Sequence, residues 1–214
     1  MSDTKDFAGE KGTVRWDARL CIHIGECGRS RGELFVSGRD PWCQPDVVEL
    51  DEVQDVVERC PTGALTLRKK DGTVVETAPE QNVVVVSNNG PLYVRGTLAI
   101  EGAPADMEGT KHRAALCRCG KSKNKPFCDN GHEKAEFRDH GAVGEKGEGA
   151  SGVGGTLEIK KAQNGPLLLS GNVTIVAASG RVAWKGDKCA LCRCGESKNK
   201  PFCDGSHKAA GFQG

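Results

Sequence analysis

The sequence writes one cysteine-rich loop twice. Residues 192–207 read Cys192-Arg193-Cys194-Gly195-Glu196-Ser197-Lys198-Asn199-Lys200-Pro201-Phe202-Cys203-Asp204-Gly205-Ser206-His207, three thiols and one imidazole with almost no apolar residue between them. Such a stretch has no apolar periodicity and cannot form a core strand or helix. Shifted back by 75 residues, the same text recurs from Cys117 to His132, and across positions 116–129 only Lys121 departs from its counterpart, Glu196. Repetition of the same thiols and imidazole predicts two metal sites, one from Cys117, Cys119, Cys128 and His132 and one from Cys192, Cys194, Cys203 and His207.

Two Cys in C-x-C spacing share one short segment, so both sulfurs reach one metal atom. Cys203 and His207 lie four apart, and a helix opened by Asp204 would stack them on one face within reach of a second atom. The polar Lys-Asn-Lys-Pro link is too short to wander, which brings both pairs over one small object. The pattern C-x-C-x2-S-x3-P-x-C-D-G-S-H resembles the CDGSH, or mitoNEET-type, iron–sulfur domain, whose members hold a [2Fe-2S] cluster with three Cys and one His. The second copy fits that pattern throughout, whereas the first has Asn130-Gly131 in place of Gly205-Ser206. Asn and Gly both accept a left-handed backbone, so the change keeps the ligand spacing. A Cys3His zinc knuckle is the alternative, although C-x-C replaces the usual C-x2-C of a knuckle.

With 29 Gly, 9 Pro and 5% aromatics in 214 residues, the chain has little with which to build a large core, and bound clusters are expected to contribute folding free energy. A formal charge of +1 argues against a nucleic-acid or anionic-membrane partner. The chain lacks the long apolar run of a membrane span, and its first dozen residues carry Asp3, Asp6 and Glu10 rather than a basic start and an apolar stretch. Eleven Cys, an odd count without an export signal, fit a reducing cytoplasm better than a secreted disulfide framework.

Upstream, Gly12 to Trp16 reads as a short strand leading to Cys21-Ile22-His23-Ile24-Gly25-Glu26-Cys27. A helix is expected near Asp51 to Arg59, with Asp51 and Gln54 spaced as a capping pair and Pro61 ending it, so that Cys60 sits at a helix terminus. Ala64 to Arg68 and Thr73 to Thr77 flank Asp71-Gly72 as a hairpin. A bacterial-type ferredoxin site uses C-x2-C-x2-C plus a remote Cys-Pro. Cys21 and Cys27 take the outer positions, Ile24 the middle one, and Cys60-Pro61 the remote one. The stretch from Val14 to Leu67 is similar to the divergent mono-cluster ferredoxin family, which often keeps three Cys. Cys21, Cys27 and Cys60 suit a [3Fe-4S] cluster; a [4Fe-4S] cluster needs a fourth ligand, for which Cys43 or His23 is available.

The repeat extends beyond the loops: Asn89-Gly90-Pro91-Leu92 matches Asn164-Gly165-Pro166-Leu167, and Gly96, Ile100 and Phe137 match Gly171, Ile175 and Phe212. The expected organisation is a ferredoxin-like domain over 1–78, a first CDGSH-type domain over 79–140 opened by a polar link, a flexible Gly-rich linker over 141–155, and a second CDGSH-type domain over 156–214. The fold class is α+β, with small β-rich copies and an N-terminal ferredoxin-like domain. Single-motif relatives are dimers that exchange strands, so the resemblance implies that the two copies pair inside one chain about a pseudo-two-fold, as a monomer. Cys189 faces Ala114 in the first copy and is read as a non-ligand; His112 and His140 have no counterparts and are read as surface side chains. Lys121, Lys123, Lys125, Lys198 and Lys200 form two basic fringes that could dock an acidic redox partner.

Neither a nucleophile with a paired base nor a phosphate loop is present, so no enzyme is expected. The first expectation is a multi-cluster electron carrier with two [2Fe-2S] clusters and one [3Fe-4S] or [4Fe-4S] cluster, serving a redox partner protein. The second is cluster storage or transfer to an apo acceptor. The third is a zinc-stapled interaction module.

Overall fold

A computed structural model describes residues 3–30, 32–144, 146–147, 149 and 152–214. The N-terminal part is a three-stranded antiparallel sheet of β1 (Thr4–Ala8), β2 (Gly12–Asp17) and β3 (Leu65–Lys69), with Val14 opposite Phe7 on one side and Leu67 on the other. The expected strand is β2; β1 was not legible, because Thr4 to Ala8 carries only Phe7 as a large apolar side chain. Helix α1 (Leu50–Arg59) places Val53, Val56 and Val57 in the core at helical spacing and ends where Cys60 turns extended before Pro61.

Two local expectations change. The helix begins at Leu50, so Asp51 falls inside the first turn, and no side chain caps the helix start. Gln54 instead donates to Glu58 one turn on, at 2.8 Å. The Asp71-Gly72 turn forms, with Lys69 N bonded to Thr73 O at 2.9 Å and Val75 N to Leu67 O at 2.8 Å. Yet only a single bridge, Arg68 to Val74, follows it, because Glu76 is drawn away from the sheet to the buried guanidinium of Arg113.

The duplicated region forms a single seven-stranded sheet. Strands β4 (Val83–Val86), β5 (Leu92–Arg95), β6 (Thr97–Ile100) and β7 (Arg113–Leu116) come from the first copy. The second copy supplies β8 (Thr156–Lys161), β9 (Leu167–Val176) and β10 (Val182–Leu191), in the order β6-β8-β9-β4-β5-β7 with β10 also on β9. Neighbours within a copy are antiparallel. The two copies meet through parallel pairs, Val84 opposite Ile175 and Ile100 opposite Ile159. Each of these pairs is the other shifted by 75 residues, so each copy gives its first strand to the other's sheet. Asn82, in the segment expected to be a polar link, is buried and stitches this exchange: its Nδ2 donates to Gly155 O at 3.0 Å and Asn172 O at 2.9 Å.

The interior solves the shortage of aromatics in an unexpected way. Arg113, Arg118 and Arg193 are among the largest fully buried side chains, each about 1% exposed. They fill space and satisfy backbone carbonyls together. The apolar core is continuous from Phe7 and Val14 through Val84 and Leu92 to Ile175 and Leu191. Within the stretch expected to be a flexible linker, residues 145, 148, 150 and 151 lie outside the described residues. The start of that stretch is packed: Val143 is buried, and Gly141 O accepts from Ala178 N at 3.0 Å. Among the described residues, no helix is long and apolar enough to cross a membrane.

Candidate metal centres

In the first copy, β7 delivers Cys117 and Cys119, whose sulfurs lie 3.7 Å apart, and Cys128 Sγ lies 3.4 Å from His132 Nδ1. The second copy repeats both distances: 3.7 Å for Cys192 and Cys194, 3.4 Å for Cys203 and His207 Nδ1. A tetrahedral metal with bonds of about 2.3 Å to sulfur and about 2.0 Å to nitrogen separates two sulfurs by about 3.8 Å and sulfur from nitrogen by about 3.5 Å. Each pair therefore has the spacing of one edge of such a tetrahedron, and the donor set fits a metal group in each loop. Among the described residues, no three His, Cys, Asp or Glu side chains converge on a single ion. The donors come in twos.

The loops hold these pairs through matching bonds. Backbone amides of Lys121 and Asn130 donate to Cys119 and Cys128 Sγ at 3.5 and 3.4 Å, and those of Glu196 and Gly205 do the same for Cys194 and Cys203 at 3.4 and 3.5 Å. Such donors stabilise thiolate charge. Asp129 accepts from Lys123 N and Gly131 N; Asp204 accepts from Lys198 N and Ser206 N, and the Ser206 hydroxyl, followed by these two amides, holds its carboxyl well below the usual range. Each Asp thereby closes the loop onto the short helix that carries the His, α2 (Gly131–Lys134) or α3 (Ser206–Ala209). The sequence departure sits at the residue before these helices. Asn130 has φ +66° and Gly205 φ +87°, both left-handed, so the exchange preserves the turn.

Electrostatics differ along the first loop. The Cys117 thiol is pulled down by its hydrogen bond with Cys119, whose own thiol is pushed up. Burial pushes Cys128 up to about 12 and His132 down, so the imidazole stays neutral and ready to ligate. Cys189 is pushed up to about 12 by burial, as befits a packed thiol, and it lies outside the ligand pairs. His112 is partly buried and Lys125 and Lys200 donate to Ser122 O and Ser197 O, so these lysines anchor loop backbone rather than stand free as a fringe.

Sequence reasoning passed over the arginines between the paired Cys. Arg118 Nε donates to Gly90 O at 2.7 Å, its Nη2 to Ser87 O, and its Nη1 pairs with Asp139. Arg193 repeats the set on Gly165 O, Ala162 O and Gly214 O at 2.8–2.9 Å. Phe137 and Phe212 cover the two guanidinium groups at 5.0 and 5.2 Å. The available signal was an Arg repeated at offset 75 with its aromatic partner. The two ligand loops also touch: Cys119 bridges Cys194, and a Cβ on Gly120 or Gly195 would meet the other loop's carbonyl at 2.5 or 2.7 Å.

In the N-terminal part, Cys21, Cys27 and Cys60 line one cavity of about 500 Å³ walled by Trp16, Phe35 and Trp42. His23 lines it too, at φ +55°. Cys43 does not. It is 1% exposed in the apolar core, beside a separate groove with Phe7 and Pro45, and burial pushes its thiol up to about 12. Cys60 Sγ lies 3.4 Å from Thr62 Oγ1, which also accepts from Ala64 N.

Comparison with known proteins matches these centres. The family described as iron-binding zinc finger CDGSH type matches residues 89–133 and 164–208. The family described as divergent 4Fe-4S mono-cluster matches residues 7–70. The chain thus carries two CDGSH-type segments. Its two CDGSH segments are joined to a divergent 4Fe-4S mono-cluster domain. The N-terminal region is similar to the Escherichia coli K12 protein named Uncharacterized protein YjdI, 42% identical over 64 residues, covering 30% of this chain and 84% of YjdI; the O157:H7 protein of that name matches equally. No solved structure matches the chain.

Proposed function

We propose that this CDGSH protein is a multi-cluster electron carrier rather than an enzyme. Cys117, Cys119, Cys128 and His132 hold one [2Fe-2S] cluster, Cys192, Cys194, Cys203 and His207 hold another, and Cys21, Cys27 and Cys60 hold a [4Fe-4S] or [3Fe-4S] cluster, with His23 the fourth donor nearest to hand. The observation that carries the reading is the pairing of donors, two tetrahedral edges per loop. A single zinc ion would need all four around one point. The cavity that three Cys share supports the larger N-terminal cluster.

An oxidised [2Fe-2S] core with three thiolates and a neutral imidazole carries about one negative charge, against two with four Cys, so it accepts an electron more readily. The chain's own contribution is to stabilise that charge through backbone amides that donate to the sulfurs, Lys121 N to Cys119 and Glu196 N to Cys194, while buried Arg118 and Arg193 fix the loop backbone through carbonyls. The exchanged registers at offset 75 support intramolecular pairing of the copies about a pseudo-two-fold, which makes a monomer sufficient. An N-terminal ferredoxin-like α+β arrangement, a reducing cytoplasmic setting and a redox partner protein complete the proposal.

The half-exposed Cys203 and His207 favour cluster transfer as a second reading. Iron and acid-labile sulfide per chain, with EPR of the isolated protein, test both against zinc. About seven iron atoms per chain with an EPR signal before reduction means a [3Fe-4S] cluster; about eight without one means [4Fe-4S]. A colourless zinc protein made under iron-replete anaerobic conditions refutes the proposal. Mixing with an apo-ferredoxin separates electron transfer from cluster transfer.

A further inference from the structure

Among the described residues, the N-terminal domain is bonded to the first CDGSH copy, and at the contact residues next to both centres pack together. Ile22, bonded directly to the ligand candidate Cys21, is buried in one small cluster with Ala115 and Cys128, and Tyr93 packs against them. Tyr93, the chain's only tyrosine, lies within electrostatic reach of both Cys128 and Cys60. The seam around it is densely bonded. Arg113 from β7 donates to Val57 O at 2.7 Å, Leu65 O at 2.9 Å and Cys60 O, and Asn124 Nδ2 in the first ligand loop donates to Arg19 O at 2.7 Å. Gly63 and Gly109 approach so closely that a Cβ on Gly109 would lie 2.0 Å from Gly63 O.

The second copy has no such cover. Leu168, the counterpart of Tyr93, is 43% exposed, and Ala190 and Cys203 are only partly buried where Ala115 and Cys128 are 3% exposed. His207 is likewise more open than His132, which is 8% exposed. Meanwhile the Cys119 and Cys194 backbones of the two CDGSH loops bridge each other. The three sites therefore stand in series: N-terminal, first CDGSH, second CDGSH.

We propose that Ile22 and Tyr93, packed on Cys128, form the electron-transfer contact between the N-terminal centre and the first CDGSH centre, so that the second CDGSH centre is reached only through the first. This rests on the electron-carrier reading. Electron tunnelling falls exponentially with edge-to-edge distance, and a side chain bonded to one ligand residue and packed on another leaves almost no gap. The step moves one electron from the reduced N-terminal centre to the oxidised first centre, with no proton or atom transferred. A soluble low-potential one-electron donor supplies the electron, and a one-electron acceptor protein takes it at the solvent-facing second centre.

The test is spin coupling in the intact protein. In samples poised so that the N-terminal centre and one or both CDGSH centres are paramagnetic, the N-terminal EPR signal is expected to be broadened and fast-relaxing. Cys128→Ser should abolish that broadening and Cys203→Ser should leave it. Ile22→Ala and Tyr93→Leu, the latter copying the second repeat, should slow reduction of the first centre by the reduced N-terminal centre, read by rapid-freeze EPR after flash photoreduction, without loss of iron, which keeps the test valid if Cys128→Ser fails to fold. Equal effects from Cys128→Ser and Cys203→Ser, or an unchanged transfer rate in the Ile22 and Tyr93 variants, overturn the series order while leaving the electron-carrier reading intact. Absence of iron and sulfide from the wild-type protein overturns both.

Discussion

Replacing Arg113 by Met removes the cation that joins the N-terminal domain to the first CDGSH copy. Arg113 and Glu76 side chains are 1% and 3% exposed, and two bonds of 2.6 and 2.7 Å make the pair bidentate. Removing one member of a buried pair typically costs about 3–5 kcal/mol, because the other charge is left without a partner. At about 2–4 °C per kcal/mol for a chain of this size, a loss of about 4 kcal/mol lowers the thermal midpoint by roughly 8–16 °C. Adding Glu76→Leu removes the stranded carboxylate, so the double variant should recover most of the ion-pair loss. It should retain a deficit on the order of 1–3 kcal/mol from the carbonyls of Val57, Cys60 and Leu65, which lose their donor. The assay is circular-dichroism melting of the anaerobic holoprotein, with visible absorbance recorded in parallel. Absorbance of the N-terminal cluster should fall first, since Arg113 holds the Cys60 carbonyl. A midpoint drop under roughly 3 °C, about 1 kcal/mol, or a double variant no more stable than the single, would refute this account of the seam.

Further outcomes are expected. His132→Cys and His207→Cys should each lower the potential of their own centre, read by spectroelectrochemical titration, because a fourth thiolate adds negative charge. A chelator should strip the second CDGSH centre before the first, since Cys203 and His207 are more open than Cys128 and His132; EPR after partial stripping reports the order. Gly63→Ala places a Cβ 2.6 Å from Arg113 O at φ +74°, and should loosen the seam enough to speed hydrogen exchange of Arg113 and Ala114 amides. Arg15 bonds Asp6 at 2.6 and 2.8 Å and holds its carboxyl below the usual range. The small stability this gives is present above about pH 4 and lost as pH falls through the lowered folded value; Asp6→Asn should flatten that limb of a denaturation series.

The features legible along the chain are local and chemical. Thiols and imidazoles at C-x-C and C-x3-H spacing mark candidate metal donors, and a repeat at offset 75 writes the set twice without any structure. Helix α1 was legible from its apolar spacing and Pro61, because both act over a few residues. The hairpin after β3 was half-legible: its Asp-Gly turn forms, but Glu76 answers to Arg113, 37 residues away. Long-range partners of that kind leave no local trace. The interior arginines were invisible for the same reason, since a charged residue reads as surface until carbonyls from distant strands are seen around it. The sequence left Cys43 and His23 level as fourth donors; only tertiary structure put His23 on the cavity and Cys43 in the core. It also made two near-identical loops unequal in exposure. The contrast between the covered Tyr93 and its open counterpart Leu168 came from where the N-terminal domain docks, and docking depends on a surface that no single stretch encodes.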